Sequence, residues 1–88
     1  MIYFFADNHY GAHPGKCIFE ALAPELKRKI LFFEDDWSVF ENEFWEEDCE
    51  LLILNMIGET CDVSYPERAI GHVERYIKQG GDVLLLHG

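Results

Sequence analysis

The sequence predicts an α/β fold in which helices cover both faces of a parallel sheet. Four short apolar runs are spread along the 88 residues, and none alternates with polar residues. Such runs are typical of strands that are buried on both faces. Helical patterns or helix-length connections separate the runs, as in successive βαβ units. The hydrophobic content of 49% supports a packed core and excludes disordered, collagen-like and low-complexity classes.

The first half of the chain predicts two strands joined by an interrupted helix. The first strand is Met1–Ala6, and it ends in a loop over residues 7–15 that is rich in turn-forming residues. Ile18–Leu26 carries apolar residues four apart, which indicates a helix. Pro24 either kinks this helix or lies in the first turn of a second one. Lys29–Phe33 is the second strand.

An acidic and aromatic connection leads to the third strand. It covers Glu34–Asp48 and predicts one short amphipathic helix near Ser38–Trp45, where aromatic residues interleave with acids. The third strand is Leu51–Ile57, the most apolar run in the chain. A loop follows it.

The last helix has a clear start and a clear stop. Ser64 with Glu67 three residues later forms a capping box, and a proline lies in the first turn. Gly80 and its neighbouring glycine end the helix. The predicted core face consists of Ala69, Ile70, Val73, Tyr76 and Ile77, and His72 is expected to point outward. Val83–Leu86 is the fourth strand.

Right-handed crossovers between these strands give a flavodoxin-like three-layer sandwich with strand order 2-1-3-4. The fourth strand then lies at an edge, although it carries none of the charges, prolines or bulges that protect natural edges. We therefore expect that residues 1–88 are the N-terminal part of a longer domain, or that the chain forms a homo-oligomer. In either case another strand pairs with residues 83–86.

Charge and cysteine content limit the classes of partner. The net charge of −10 argues against nucleic acids and anionic membranes, which bind clustered cations. Nine carboxylates fall between Glu34 and Glu50, and this stretch is either a solvated face or a surface for cations or a basic partner. The sequence shows no signal peptide and no membrane-spanning run. Three scattered cysteines favour a reducing, cytoplasmic setting.

Polar residues at the predicted carboxyl ends of the strands form the candidate site for a small-molecule ligand. Ligands of open α/β sheets bind at this edge, beside the point where the strand order reverses. Histidine titrates near neutral pH, so the catalytic candidates are His13 and His87, which we expect to lie within reach of one ligand. The ligand-binding candidates are Asp7, His9, Asn55 and Gly58.

Several of these residues have structural alternatives. Asp7 either orients a histidine or caps a turn, and His9 is either a ligand contact or a surface residue. Asn55 either binds a sugar hydroxyl or braces the following loop. No glycine-rich phosphate-binding motif occurs, and no ligand spacing supports a metal site, so we predict neither a cofactor nor a metal.

Three stretches resemble a known family: Phe4–His13, Cys49–Gly58 and the run Val73–Gly88, in which a helix, two glycines and a strand lead to His-Gly. Together they are similar to the N-terminal part of the trehalose-utilisation (ThuA-like) family, in the class I glutamine amidotransferase-like superfamily. The resemblance implies a flavodoxin-like sandwich and a role in carbohydrate metabolism. In glutamine amidotransferases the strand that matches Val83–Leu86 leads to a nucleophilic cysteine, whereas this chain has His87 there.

The resemblance leaves three functions open. The first is an enzyme of carbohydrate metabolism or a sugar-binding domain. The second is a hydrolase or transferase of the wider superfamily with its nucleophile beyond residue 88. The third is a non-catalytic assembly domain.

Overall fold

The computed structural model describes residues 1–8, 11–55 and 67–86. The elements, in chain order, are β1 (Ile2–Ala6), α1 (Pro14–Glu20), α2 (Pro24–Lys27), β2 (Ile30–Glu34), a 3₁₀ helix (Ser38–Glu41), α3 (Phe44–Asp48), β3 (Leu51–Asn55), α4 (Glu67–Lys78) and β4 (Val83–Leu85). This order confirms the predicted α/β class.

The four strands form one parallel sheet in the order β2-β1-β3-β4, as predicted. The arrangement is consistent with a partial flavodoxin-like sandwich. The register pairs Ala6 of β1 with Glu34 of β2 on one side and with Asn55 of β3 on the other. Three strand ends therefore lie side by side at the carboxyl edge of the sheet.

Each face of the sheet carries its own apolar cluster. One cluster lies under α3, α4 and the 3₁₀ helix and consists of Tyr3, Phe5, Trp37, Phe40, Trp45, Leu52, Ala69 and Tyr76. The other lies on the face of α1 and consists of Phe4, Ala6, Ile30 and Ile53. Because successive side chains of a strand point to opposite faces, the continuous apolar run of β1 supplies both clusters. This is the physical basis of the parallel-strand prediction.

The observed helices resolve or change several details of the predicted ones. Pro24 begins a second short helix rather than kinking a longer one, so its missing N–H falls where no helical hydrogen bond is needed. The connection after β2 contains a 3₁₀ helix and α3 in place of one helix. Gly80 adopts a φ of 90° after α4, which confirms the predicted stop. The capping residue Ser64 lies outside the described residues.

The predicted core face of α4 is wrong at two positions. Ala69 and Tyr76 are buried and Val73 is partly buried, as expected, but Ile70 and Ile77 are exposed. The helix contacts the sheet through a narrower stripe than its sequence suggests. Within the described part of the chain, no helix is both long enough and apolar enough to cross a bilayer.

Candidate functional site

Polar residues converge at the carboxyl edge of the sheet, where β1, β2 and β3 end together. We call the set Asp7, Asn8, His13, Glu34, Asp35 and Asn55 the carboxyl-edge site. Asp7 and Asn55 are fully buried, although both are polar. The backbone N–H of Asp7 donates to the carbonyl oxygen of Asn55 at 3.2 Å, which extends the pairing of β1 and β3 by one residue.

Hydrogen bonds fix the loop after β1 against the end of β2. The N–H of Asp35 donates to the carbonyl of Ala6 at 2.9 Å, and the Asp35 side chain accepts from the N–H of Asn8 at 3.1 Å. The Asn8 side chain in turn accepts from the N–H of His13 at 2.9 Å. These contacts set the position of the His13 backbone relative to both strands.

Two residues of the site have left-handed backbone conformations. The φ angle is 48° at His13 and 53° at Asp35. Residues other than glycine rarely adopt this conformation, although aspartate and histidine do so more often than most residues. Such strained residues cluster at functional sites, where the surrounding structure holds them in place. The position of His13 is therefore determined by its tertiary contacts.

The His13 imidazole pairs with the Glu34 carboxylate. The Nδ1 atom lies 2.7 Å from Oε1 of Glu34, and the side chains are 49% and 19% exposed. An ionised carboxylate only accepts hydrogen bonds, so Nδ1 is the donor. In the neutral ring this leaves Nε2 with a free lone pair, as a general base requires. Oε2 of Glu34 is buried and has no hydrogen-bond partner among the described residues.

Gly15 brings α1 close to the sheet at this edge. A Cβ atom at this position would collide with the Cβ of Ala6 and would lie 3.2 Å from Oδ1 of Asn55. Only glycine permits this approach without a shift of the backbone. The loop that carries His13 is thereby held above the ends of β1 and β3.

The structure brings three of the six predicted residues together. His13, Asp7 and Asn55 lie at the carboxyl edge, while His9, Gly58 and His87 lie outside the described residues. The predicted approach of His13 to His87 therefore stays a prediction. The Asn55 side-chain amide donates to the carbonyl of Leu86 at 3.2 Å, so it braces the end of β4.

The carboxyl-edge site includes three residues beyond the predicted ones, Asn8, Glu34 and Asp35, and Glu34 is the one whose side chain pairs with the His13 imidazole. The sequence places Glu34 in the acidic connection, yet it occupies the last position of β2, beside the end of β1. The sequence contains a signal for this residue, because a charged residue directly follows an apolar strand. That strand is the predicted neighbour of the strand that precedes His13. Because many acidic residues follow Glu34, the sequence alone does not distinguish it from the rest of the acidic connection.

A second polar cluster lies between α3 and α4. The Glu46 carboxylate accepts from Nε and Nη2 of Arg75, both at 3.0 Å, and lies 2.8 Å from Nδ1 of His72. Burial alone would raise the pKa of Glu46, but the hydrogen bonds from Arg75 and His72 outweigh it and lower the pKa. The Glu46 side chain is only 7% exposed, so the acidic stretch is not solvated throughout. His72 is engaged in this cluster, contrary to the expectation that it points outward.

Across residues 1–8, 11–55 and 67–86, no group of three or more His, Cys, Asp or Glu side chains is arranged to hold a metal ion. Comparisons of the chain with protein-family models, with curated proteins and with solved structures gave no match.

Proposed function

We propose that the chain is a ThuA-like domain that binds a small polyhydroxylated molecule, such as a sugar, at the carboxyl-edge site. In this proposal His13, oriented by Glu34, acts as a general base or acid on a ligand hydroxyl. The hydrogen bond between His13 and Glu34 carries the proposal, because it fixes the ring and its tautomer at the edge where α/β sheets bind ligands.

The chemistry follows from the geometry of the ring. Glu34 holds Nδ1, and the half-exposed side chain leaves Nε2 available to a hydroxyl of the ligand. Proton transfer needs a separation of about 2.6–3.2 Å between Nε2 and the hydroxyl oxygen. A positioned base of this kind contributes about 10²–10⁴-fold to a reaction rate. The partner carboxylate also stabilises the imidazolium ion that forms.

The charge of the site favours a neutral ligand. Glu34 and Asp35 provide two partly exposed carboxyl groups at this edge, beside the buried Asp7, and the whole chain has a net charge of −10. Carboxylates attract hydroxyl donors and repel phosphate or carboxylate groups. A neutral polyol fits this chemistry better than a sugar phosphate. The resemblance to the trehalose-utilisation family points to the same substrate class.

The proposal is tested by titrating ¹⁵N-labelled protein with trehalose and following the amide resonances by NMR. We expect shifts at Asn8, His13 and Asp35, which the hydrogen bonds of the loop connect. Glucose 6-phosphate serves as the anionic comparison and should bind more weakly. Tighter binding of the phosphate would contradict the proposed ligand class.

Substitutions separate the His13–Glu34 pair from the general stability of the fold. His13→Gln and Glu34→Gln should each weaken trehalose binding by about tenfold, as expected for the loss of one good hydrogen bond. Because the two residues act as a unit, the double variant should lose little more than either single one. His72→Gln is the matched control in the second polar cluster. An equal effect of His72→Gln, or fully additive losses at His13 and Glu34, would contradict the assignment.

A further inference from the structure

Asn8 is held in the carboxyl-edge site at three of its four hydrogen-bonding groups. Its backbone N–H donates to Oδ1 of Asp35 at 3.1 Å, and its side-chain Oδ1 accepts from the N–H of His13 at 2.9 Å. Its carbonyl oxygen accepts from the N–H of Gly11 at 3.3 Å. Gly11 has a φ of 65°, which glycine adopts without steric cost, so the turn closes on Asn8. These contacts fix the orientation of the Asn8 side chain before any ligand binds.

The fourth group of Asn8, the side-chain NH₂ at Nδ2, is available for binding. A backbone N–H only donates, so the amide atom that faces His13 is the oxygen, and Nδ2 lies on the other arm of the amide plane. Among residues 1–8, 11–55 and 67–86, no atom accepts a hydrogen bond from Nδ2. Asn8 is partly exposed and Nδ2 is not a buried atom, so this donor is open to water or to a ligand.

Nδ2 of Asn8 differs chemically from the other exposed groups of the site. Glu34 and Asp35 present carboxylates, and an ionised carboxylate only accepts hydrogen bonds. The second ring nitrogen of His13, Nε2, also accepts while Glu34 holds Nδ1. The amide of Asn55 is a donor as well, but it is buried and already donates to the end of β4. Within the described part of the site, Asn8 therefore supplies the available side-chain donor.

We propose that Asn8 is the specificity-determining residue of the carboxyl-edge site and that its Nδ2 donates a hydrogen bond to a hydroxyl oxygen of the ligand. This role rests on the proposed function, in which His13 accepts a hydrogen bond from a hydroxyl of the same ligand. Each hydroxyl both donates and accepts, so a polyol satisfies Asn8 and His13 at the same time. An ammonium group only donates, so it leaves Nδ2 unpaired. Asn8 thereby selects a neutral polyol over an amine.

Side-chain amide resonances of the wild-type protein test this contact without any substitution. A ¹H–¹⁵N spectrum of labelled protein reports the NH₂ groups of Asn8, Asn42 and Asn55 separately. Asn42 lies exposed between the 3₁₀ helix and α3, and Asn55 already donates to the protein, so both are internal controls. Titration with trehalose should shift the Asn8 NH₂ resonances more than those of either control. Binding of trehalose without that shift overturns this role alone, whereas an absence of binding overturns the proposed function as well.

Asn8→Asp separates the two arms of the amide. The variant keeps an oxygen that accepts from the N–H of His13, but it replaces the NH₂ donor by a second acceptor. The affinity for trehalose should fall at least about tenfold, as for the loss of one good hydrogen bond, while the His13 amide resonance stays near its wild-type position. Asn42→Asp is the matched control, because Oδ1 of Asn42 likewise accepts from a backbone N–H, that of Phe44, at 3.0 Å. It adds the same charge outside the site and should change the affinity less than about twofold; equal losses in the two variants overturn the proposal.

Asn8→Ala separates contact with the ligand from support of the loop. It removes both arms of the amide, so the N–H of His13 loses its acceptor and its resonance should move. Asn8→Ala and Asn8→Asp should each lower the affinity for trehalose at least about tenfold. Wild-type affinity in Asn8→Asp, together with a loss in Asn8→Ala, would show that Asn8 only supports the loop and would overturn the proposal. Circular dichroism checks that each variant folds, and the wild-type amide shift decides the question if one does not.

Discussion

Substitution of Gly15 by alanine tests whether the close approach of α1 to the sheet holds the carboxyl-edge site together. The new Cβ would collide with the Cβ of Ala6 and lie 3.2 Å from Oδ1 of Asn55. Both neighbours are buried, so neither can move freely. Overpacking of this kind costs about 1–3 kcal/mol.

The same substitution at Gly71 provides the control. Gly71 lies inside α4, and a Cβ there would meet no atom within 4 Å. Alanine is a better helix former than glycine by about 1 kcal/mol, so Gly71→Ala should raise the free energy of unfolding. At Gly15 the overpacking exceeds that gain, and we expect a net loss of about 1–2 kcal/mol. The two variants therefore shift stability in opposite directions.

Thermal unfolding followed by circular dichroism measures the difference. For a domain of this size, 1 kcal/mol corresponds to about 4–8 °C in Tm. Gly15→Ala should lower Tm by about 5–15 °C, and Gly71→Ala should raise it by about 4–8 °C. The His13 amide resonance should also shift in Gly15→Ala, because the loop is displaced with the helix. Equal stabilisation by the two substitutions would refute the close approach of Gly15 to Ala6 and Asn55.

Three further predictions concern charged and phenolic groups. Because Arg75 helps to lower the pKa of Glu46 in the folded protein, Glu46 stabilises the fold at pH values above its unfolded pKa, and this contribution is lost as the pH falls through the folded pKa. Glu46→Gln should therefore flatten the pH dependence of the free energy of unfolding in urea between pH 6 and 3. An unchanged slope would contradict the ion pair. Glu43→Gln and Glu47→Gln, at exposed positions, should change the free energy of unfolding by less than about 0.5 kcal/mol in the same assay, and a larger loss would show that the exposed acids are structural. Burial, together with the nearby Asp48 carboxylate, raises the pKa of Tyr3 to about 12, so stability should fall as the pH rises above 10. Burial also raises the pKa of Tyr76, so Tyr3→Phe should reduce this alkaline loss rather than abolish it. Ultraviolet titration should show both phenols ionising only near unfolding, and an alkaline loss unchanged by Tyr3→Phe would contradict the role of Tyr3.

Local sequence patterns were sufficient to predict the four strands of this fold and the helix between the third and the fourth strand. The continuous apolar runs fixed the four strands, because each strand of a parallel sheet must be apolar on both faces. Right-handed crossovers then left the order 2-1-3-4 as the expected arrangement, and the structure has it. The position of His13 and Asn55 at the carboxyl edge followed from their places, His13 in the loop after the first predicted strand and Asn55 near the end of the third. These features depend on residues that are near one another in the chain.

The contacts of the candidate site and the burial of the helices were decided only by the tertiary structure. His13 and Glu34 are separated by 21 residues, and their pairing depends on the register of β1 with β2 and on the loop that Asn8 and Asp35 hold. No local pattern encodes that register, since shifting a strand along its neighbour preserves its apolar character. Likewise, the periodicity of α4 shows which side of the helix is apolar but not how closely the helix packs on the sheet. Ile77 belongs to the apolar side and is nevertheless exposed. Sequence periodicity determines which face of an element is apolar, whereas packing between distant elements determines how much of that face is buried and which polar groups meet.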